Sequence, residues 1–252
     1  MNPGKVQDHF KKQVDHYRSL MIRIIPDYEA AQNLLVDLLP FNRTKKLRIL
    51  DLGSGPGTLS ELVLERYPLS EVLAFDLTQE MLDSAQIRLS RFGSRIQILQ
   101  GDYRNKELFG TGYDAILAGM TLHHLKNDER KTAFQNFFQS LSPGGIFLSQ
   151  DIVIDEDPFI SEWHYSLWRK FMRNNGEDDS FWYEKHKEKD HPVSVENLKS
   201  WLTEAGFTHS ACHWKHLNFS IVSATREGWE ERDIFARDWW RGNFLSLARR
   251  TF

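Results

Sequence analysis

Between residues 47 and 153 the chain switches regularly between two hydrophobic patterns. Short apolar runs at 47–52, 72–76, 96–101, 113–119 and 145–153 read as strands. Segments 57–67, 79–92 (behind Thr78) and 128–141 read as helices. Strands that alternate with helices of about ten residues or more require crossover connections, and crossovers join parallel strands. Such connections are right-handed, which places helices on both faces of one sheet. The expected fold class is therefore α/β, a doubly wound and mostly parallel sheet.

The flanks follow other rules. Val6, Phe10, Val14, Tyr17, Met21 and Ile24 form one apolar helical stripe that ends at Pro26. A second helix is expected from Asp27, as N-cap, to Leu39, with Pro40 as its stop. Residues 158–191 are aromatic and charged, with a turn signal at 174–179. Ser194 is expected to cap a helix that ends at Gly206, and segments 207–215 and 217–225 read as two last strands. The whole is expected to be one domain over 1–225, with N-terminal helices at 1–40 and a helical cap inserted at 154–193. A helical tail, 226–252, is expected to pack on that domain or in a homodimer contact.

Composition narrows the partners. The 252 residues are 40% hydrophobic, enough for a sizeable core. The net charge of -3 provides no bulk field for nucleic acid or an anionic membrane, so a small-molecule substrate is expected instead. No apolar run approaches the ~20 residues of a membrane span, and the polar N-terminus lacks a signal-peptide core. The single cysteine, Cys212, fits a reducing compartment, and a cytoplasmic protein is expected. All eight tryptophans lie between Trp163 and Trp240, which separates the chain into two compositional halves.

The candidate site begins at residues 51–57, DLGSGPG, a buried strand running into a glycine-rich turn. Glycines there let the backbone approach a ligand, and the following helix offers unpaired N–H groups. A dinucleotide fingerprint needs a third glycine at position 58, where this chain has Thr58. Asp76 ends the next strand, where its carboxylate can accept from a ribose diol. Asp102 stands where it can meet an adenine amine, with Leu77 and Met81 on the adenine faces.

With those residues the sequence resembles the class I S-adenosylmethionine-dependent methyltransferases over roughly 45–225. The carrying segments are DLGSGPG at 51–57, FDLTQEML at 75–82, GDY at 101–103, YDAILAGMTLHHL at 113–125, SPGGIFLSQD at 142–151 and LTEAGF at 202–207. The resemblance implies a Rossmann-like sheet of seven strands with the last antiparallel, and S-adenosylmethionine as cofactor. It implies that Gly53, Ser54 and Gly55 line the methionine part, that Asp76 binds the ribose, and that Asp102 binds the adenine amine. The backbone near Ala118 would meet the cofactor ammonium, and Tyr17 and Tyr28 would close over the methionine end. Asp51 and Tyr103, within the matched segments, are counted with them.

Methyl transfer from a sulfonium is an in-line displacement in which the cofactor brings electrophile and leaving group. His123 and His124 follow the fourth strand on the cofactor side; one of them acts as a base, or a histidine braces the loop or touches the cofactor. No metal is expected: Asp151 has no partner visible in sequence, and His209 and His213 alternate in facing with Cys212 and His216. The run 184–191 mixes charge signs and reads as a solvated face. Phe159, Trp163, Tyr165, Trp168, Phe171, Phe181, Trp182 and Tyr183 are expected mainly to pack the cap, with two or three lining the substrate pocket.

Four functions are open at this point. The favoured one is methyl transfer to a small molecule. A tRNA- or protein-modifying methyltransferase is opposed by the charge. The chain ends, with Ile25-Pro26-Asp27-Tyr28 and 207–219, also look like the carboxy-S-adenosylmethionine synthases. That family holds the added carboxylate partly through an arginine before the capped helix, and 181–191 contains none. The fourth is a non-catalytic S-adenosylmethionine-binding protein.

Overall fold

The structure, a computed structural model, describes residues 17–228. The start of the first apolar stripe and the tail from Trp229 onward, Trp239 and Trp240 included, lie outside the described residues. Helix α1 covers 17–24. It is followed by α2 (Tyr28–Asp37), β1 (Arg48–Leu52), α3 (Thr58–Arg66), β2 (Glu71–Asp76), α4 (Gln79–Leu89) and β3 (Ile96–Gln100). Next come β4 (Tyr113–Gly119), α5 (Asn127–Ser140), β5 (Leu141–Ile154), α6 (Pro158–Asn174) and α7 (Asp179–Lys189). The described chain closes with β6 (Val193–Ser194), α8 (Val195–Glu204), β7 (His209–His216) and β8 (Phe219–Thr225). Among the described residues no helix is long and apolar enough to cross a membrane.

The sheet runs β3-β2-β1-β4-β5-β8-β7, seven strands as the resemblance implied, and the two-residue β6 adds to the far end of β5. Strands β1 to β5 pair in parallel, and β8 is antiparallel to both neighbours. Successive residues serve opposite cores, as a pleated strand requires. Leu50, Ile116 and Phe147 pack with Phe134 and Phe137 of α5. Ile49, Leu117 and Leu148 pack with Leu35 of α2 and Val63 of α3.

A third cluster joins the cap to the N-terminal helices. Trp168 and Met172 of α6 meet Ile24, Ile25 and Tyr28, with Ile152 and Phe219 from the sheet. The Trp168 indole N–H donates to the Ile24 carbonyl at 2.6 Å, and its ring meets Phe219 edge-on at 5.7 Å. Tyr165, Phe171, Trp182 and Tyr183 pack around this cluster, while Phe159, Trp163 and Phe181 are exposed.

Three local expectations are corrected. Asp27 stands before α2 but makes no side-chain cap; its φ is 54°, and its carboxylate pairs with His216 at 2.6 Å. Helix α4 stops at Leu89, and the next six residues form 3-10 turns broken at Gly93. The β7–β8 register shifts between Cys212 and Trp214, so strict alternation of the β7 histidines fails. His213 instead bonds the Ser223 hydroxyl at 2.7 Å.

Because Trp168 joins three elements, Trp168→Ala is expected to cost ~3–5 kcal/mol. Trp168→Phe, which keeps most packing but loses the donor, is expected to cost ~1 kcal/mol. Urea unfolding midpoints test both; an alanine variant within ~1 kcal/mol of the parent would mean the cap adds little to the fold.

Candidate functional site

Parallel strands deliver their carboxyl ends to one edge of the sheet, and the loops after β1, β2, β3 and β4 meet there. Register places Leu52 of β1 beside Ala118 of β4, so the glycine turn runs beside the segment 119–121. Gly53 has φ +60°, and a Cβ on it would overlap the Thr121 side chain. Only glycine allows both that conformation and that approach. The Gly55 N–H donates to Asp76 Oδ2 at 2.9 Å, and the Ser54 N–H to the Phe75 carbonyl at 3.1 Å. The turn is thereby tied to the end of β2.

In front of the turn lies a cleft of about 370 Å³. It is lined by Tyr17, Gly53, Gly55, Asp76, Tyr103, Thr121 and His124 among others. Leu77 and Met81 border it, and Leu77 is exposed. Asp76 Oδ1 accepts from the Thr78 N–H at 2.9 Å and the Thr78 hydroxyl at 2.8 Å. The Tyr103 hydroxyl donates to the Thr121 carbonyl at 3.0 Å, and burial pushes that phenol up to about 12. Asp102 lies on the wall, but Arg104 grips both its oxygens, which holds its carboxyl below the usual range. The same guanidinium reaches Glu129 at 2.7 Å.

Behind the turn is a smaller polar space bordered by Asp51, Ser54, Tyr28 and Gln32. Asp51 is buried, accepts from the Ser60 hydroxyl at 2.6 Å, and is pushed up to about 7 by that burial. Tyr28 and Tyr17 are raised too, chiefly by burial. The Ser54 hydroxyl is buried without a hydrogen-bond partner. A glycine cradle with an orphaned hydroxyl and a buried carboxylate fits the polar end of an amino-acid-bearing cofactor.

The two histidines separate. His123 is buried, with Nδ1 on the Asp151 carboxylate and its N–H on Asp151 Oδ2 at 3.0 Å. Burial disfavours its charged form, yet Asp151 and Asp190 outweigh burial and raise its pKa. His124 lies on the cleft with its ring half-exposed, and its Nδ1 meets Asp190 Oδ1 at 3.0 Å. Asp190 Oδ2 holds His186 Nδ1 at 2.8 Å, and His186 Nε2 meets the Tyr165 hydroxyl at 3.1 Å. Burial would raise Asp190, but bonds from His124 and His186 bring it well below the carboxylate range.

Most residues named from sequence converge here: Tyr17, Gly53, Gly55, Asp76, Leu77, Met81, Asp102, Tyr103 and His124 on the cleft, Asp51, Tyr28 and Ser54 behind it. Ala118 is fully buried in the core, and its successors Gly119 and Met120 form the wall. His123 does not reach the cleft, because Asp151, which seemed partnerless in sequence, holds it inside. None of the eight cap aromatics lines the cleft; Tyr165, Trp168, Phe171, Trp182 and Tyr183 pack in the cluster with Ile24, Tyr28 and Phe219, and the other three are exposed. The run 184–191 is only partly a solvated face, since His186 and Asp190 turn inward. Thr121, Met120 and Arg104 escaped sequence reasoning, as did Asp190, which lies 66 positions from the histidine it holds.

A family described as a methyltransferase domain matches residues 49–145. The chain is 23% identical over 227 residues to a carboxy-S-adenosyl-L-methionine synthase of Nautilia profundicola, covering 88% of this chain and 96% of that one. It is 27% identical over 217 residues to the enzyme of that name from Desulforapulum autotrophicum, covering 83% and 87%. Among solved structures, an O-methyltransferase family protein from Burkholderia thailandensis superposes with a TM-score of 0.64 at 18% identity, over 86% of this chain and 60% of that one. Human N-acetylserotonin methyltransferase, solved with its cofactor SAM, gives 0.54 at 19% identity, over 79% and 55%. The glycine turn at which this sheet opens falls inside the matched methyltransferase domain, and the aligned carboxy-S-adenosyl-L-methionine synthases span most of the chain.

Proposed function

We propose that the protein moves the methyl group of S-adenosylmethionine to a small acceptor seated in the cleft against His124. The carrying observation is that the glycine turn tied to Asp76 and the half-exposed His124 ring border one cleft. When bound, the cofactor supplies the sulfonium-activated methyl and its own leaving group. The chain's residues bind and orient. The 53–55 turn and Ser54 receive the amino-acid end, Asp76 receives the ribose hydroxyls, and Leu77 and Met81 border the base. The backbone at 118–120 and Asp51 meet the ammonium, while Tyr17 and Tyr28 limit water access. Alignment of this kind supplies ~7–11 kcal/mol in well-oriented models. Of the two histidines, His124 is the one in place to act on the acceptor's proton. The net charge of -3 favours a small acceptor over nucleic acid.

A second reading, synthesis of carboxy-S-adenosylmethionine, is supported by relatives of that name that align over most of the chain. An added carboxylate requires a cation near the sulfonium. Arg104 is the one arginine lining the cleft among the described residues, and Asp102 and Glu129 already hold it. Helix α7 contains none. These features favour the methyl form.

Calorimetry with S-adenosylmethionine is expected to show saturable binding that Asp76→Ala weakens at least ~10-fold, the loss of one hydrogen-bonded anchor at ~1.4 kcal/mol. No heat of binding would sink the proposal, and a carboxymethyl cofactor in the mass spectrum of the purified protein would select the second reading. Asp51 is largely protonated below about 7 and ionised above it. Binding of a cofactor that carries an ammonium is therefore expected to strengthen as pH rises through that value, and Asp51→Asn to flatten the rise. A pH-independent affinity in the parent protein would remove Asp51 from the cofactor's surroundings. His124→Ala is expected to lower kcat ~10²–10⁴-fold with cofactor affinity retained; an unchanged kcat would exclude His124 from the chemistry.

A further inference from the structure

His123, His124 and Asp190 come from two separate parts of the chain, yet each offers a ligand atom, all within 4.8 Å of one another. Asp190 Oδ1 is the common point, 3.0 Å from His124 Nδ1 and 3.8 Å from His123 Nε2. Donor atoms at ~2.0–2.2 Å from a tetrahedral ion lie roughly 3.4 Å apart, so the spacing brackets that of a metal centre. We propose that these three side chains bind one divalent transition metal ion of the zinc class at the edge of the cleft.

The surroundings of the three groups support this. Asp151 takes the Nδ1 side of His123, and it also accepts the N–H groups of His123 and Ile152, at 3.0 and 2.8 Å. A carboxylate so placed accepts from the Nδ1 N–H, and an ion that displaces the proton from Nε2 would find that nitrogen already aimed at Asp190. Metal-binding histidines are oriented by this kind of outer carboxylate. Nε2 lies 3.8 Å from Asp190 Oδ1, so a positive charge, proton or metal ion, is favoured between them. A proton on Nε2 would serve that one contact. A metal ion serves both imidazoles and the carboxylate together.

The scaffold holds the ligands without the ion. Asp190 Oδ2 is fixed by His186, and the His191 N–H donates to the His123 carbonyl at 2.7 Å. Arg130 is buried beneath, and its guanidinium donates to the carbonyls of Leu122, Leu125 and His191. Two imidazoles and one carboxylate suit zinc, cobalt or nickel over magnesium and calcium, which take oxygen donors. Three protein ligands leave a coordination position open, as catalytic zinc sites do, and His124 borders the cleft. The ion site stands independently of methyl transfer. Its consequence for the acceptor, a small molecule with a metal-liganding oxygen or sulfur, rests on the proposed methyltransferase reading. With the ion bound, His124 would hold it, and the ion would supply Lewis-acid polarisation of the acceptor's oxygen or sulfur beside the cleft.

The test uses the full chain stripped with a chelator, without S-adenosylmethionine, and titrates zinc by calorimetry and cobalt by visible absorption. One ion per chain is expected, with the intense absorption bands of a four-coordinate cobalt site. Asp190→Asn and His124→Ala are each expected to weaken binding more than ~10-fold, while Cys212→Ser and His209→Ala leave it unchanged. Unfolding midpoints of the metal-free variants close to the parent separate ligand loss from misfolding. Absence of stoichiometric binding would overturn the site, as would binding that follows Cys212 or His209. So would a nitrogen NMR spectrum in which His123 carries protons on both ring nitrogens and zinc leaves them in place. Failure of S-adenosylmethionine to bind would refute the methyltransferase reading and leave the ion site standing.

Discussion

The parallel pairing of β1 with β4 is the constraint on which the rest of the site depends. Its register brings Leu52 beside Ala118, so the two strands end together and their loops emerge side by side. The space between those loops is so small that Gly53 has no room for a Cβ against Thr121. One glycine conformation thus sets how near the 53–57 turn lies to the segment that carries Met120, Thr121 and His124. A wider approach would open the cleft to water, and a slipped register would turn alternate residues of β4 out of their cores.

The carboxylates at this edge are used in contrasting ways. Asp76 acts first on the protein itself, holding Gly55 and Thr78, and still lies on the cleft. Asp51 is buried, and that burial raises its pKa to about 7. Asp151 and Asp190 divide the two histidines between them. Asp151 draws His123 into the interior, and Asp190 holds His124 at the surface of the cleft. Asp190 belongs to the cap, so the cap contributes to the site through a charged network at the end of α7, and its aromatic rings serve another purpose.

That division explains the uneven distribution of tryptophan. Among the described residues, Trp168 ties α6 to α1 and the sheet, Trp201 packs α8 into the core, and Trp214 lies against the N-terminal helices. Of these, Trp168 attaches the cap, while Trp201 and Trp214 pack α8 and β7. Large rings bring much apolar area to an element with few backbone bonds to the sheet, of which the Val153–Val193 pairing is one.

The alternation of strand and helix patterns between 47 and 153 determined the parallel sheet, because crossover handedness leaves few other arrangements. The glycine spacing at 53–57 and the acidic ends at Asp76 and Asp102 made the cleft edge legible, since those residue types answer to local backbone geometry. What the pattern of residues could not carry was any contact between distant segments. Asp190 and His124, Asp151 and His123, and Gly53 and Thr121 are paired only once the strands are in register and α7 has folded back on the sheet. The expectation that cap aromatics line the pocket failed for the same reason: composition states that rings must be buried, and only the tertiary structure decides against what. Local hydrophobic period and turn chemistry thus set the fold and the glycine turn, while long-range packing decided which histidine faces the cleft, because side-chain burial and charge pairing belong to the assembled surface and not to neighbours along the chain.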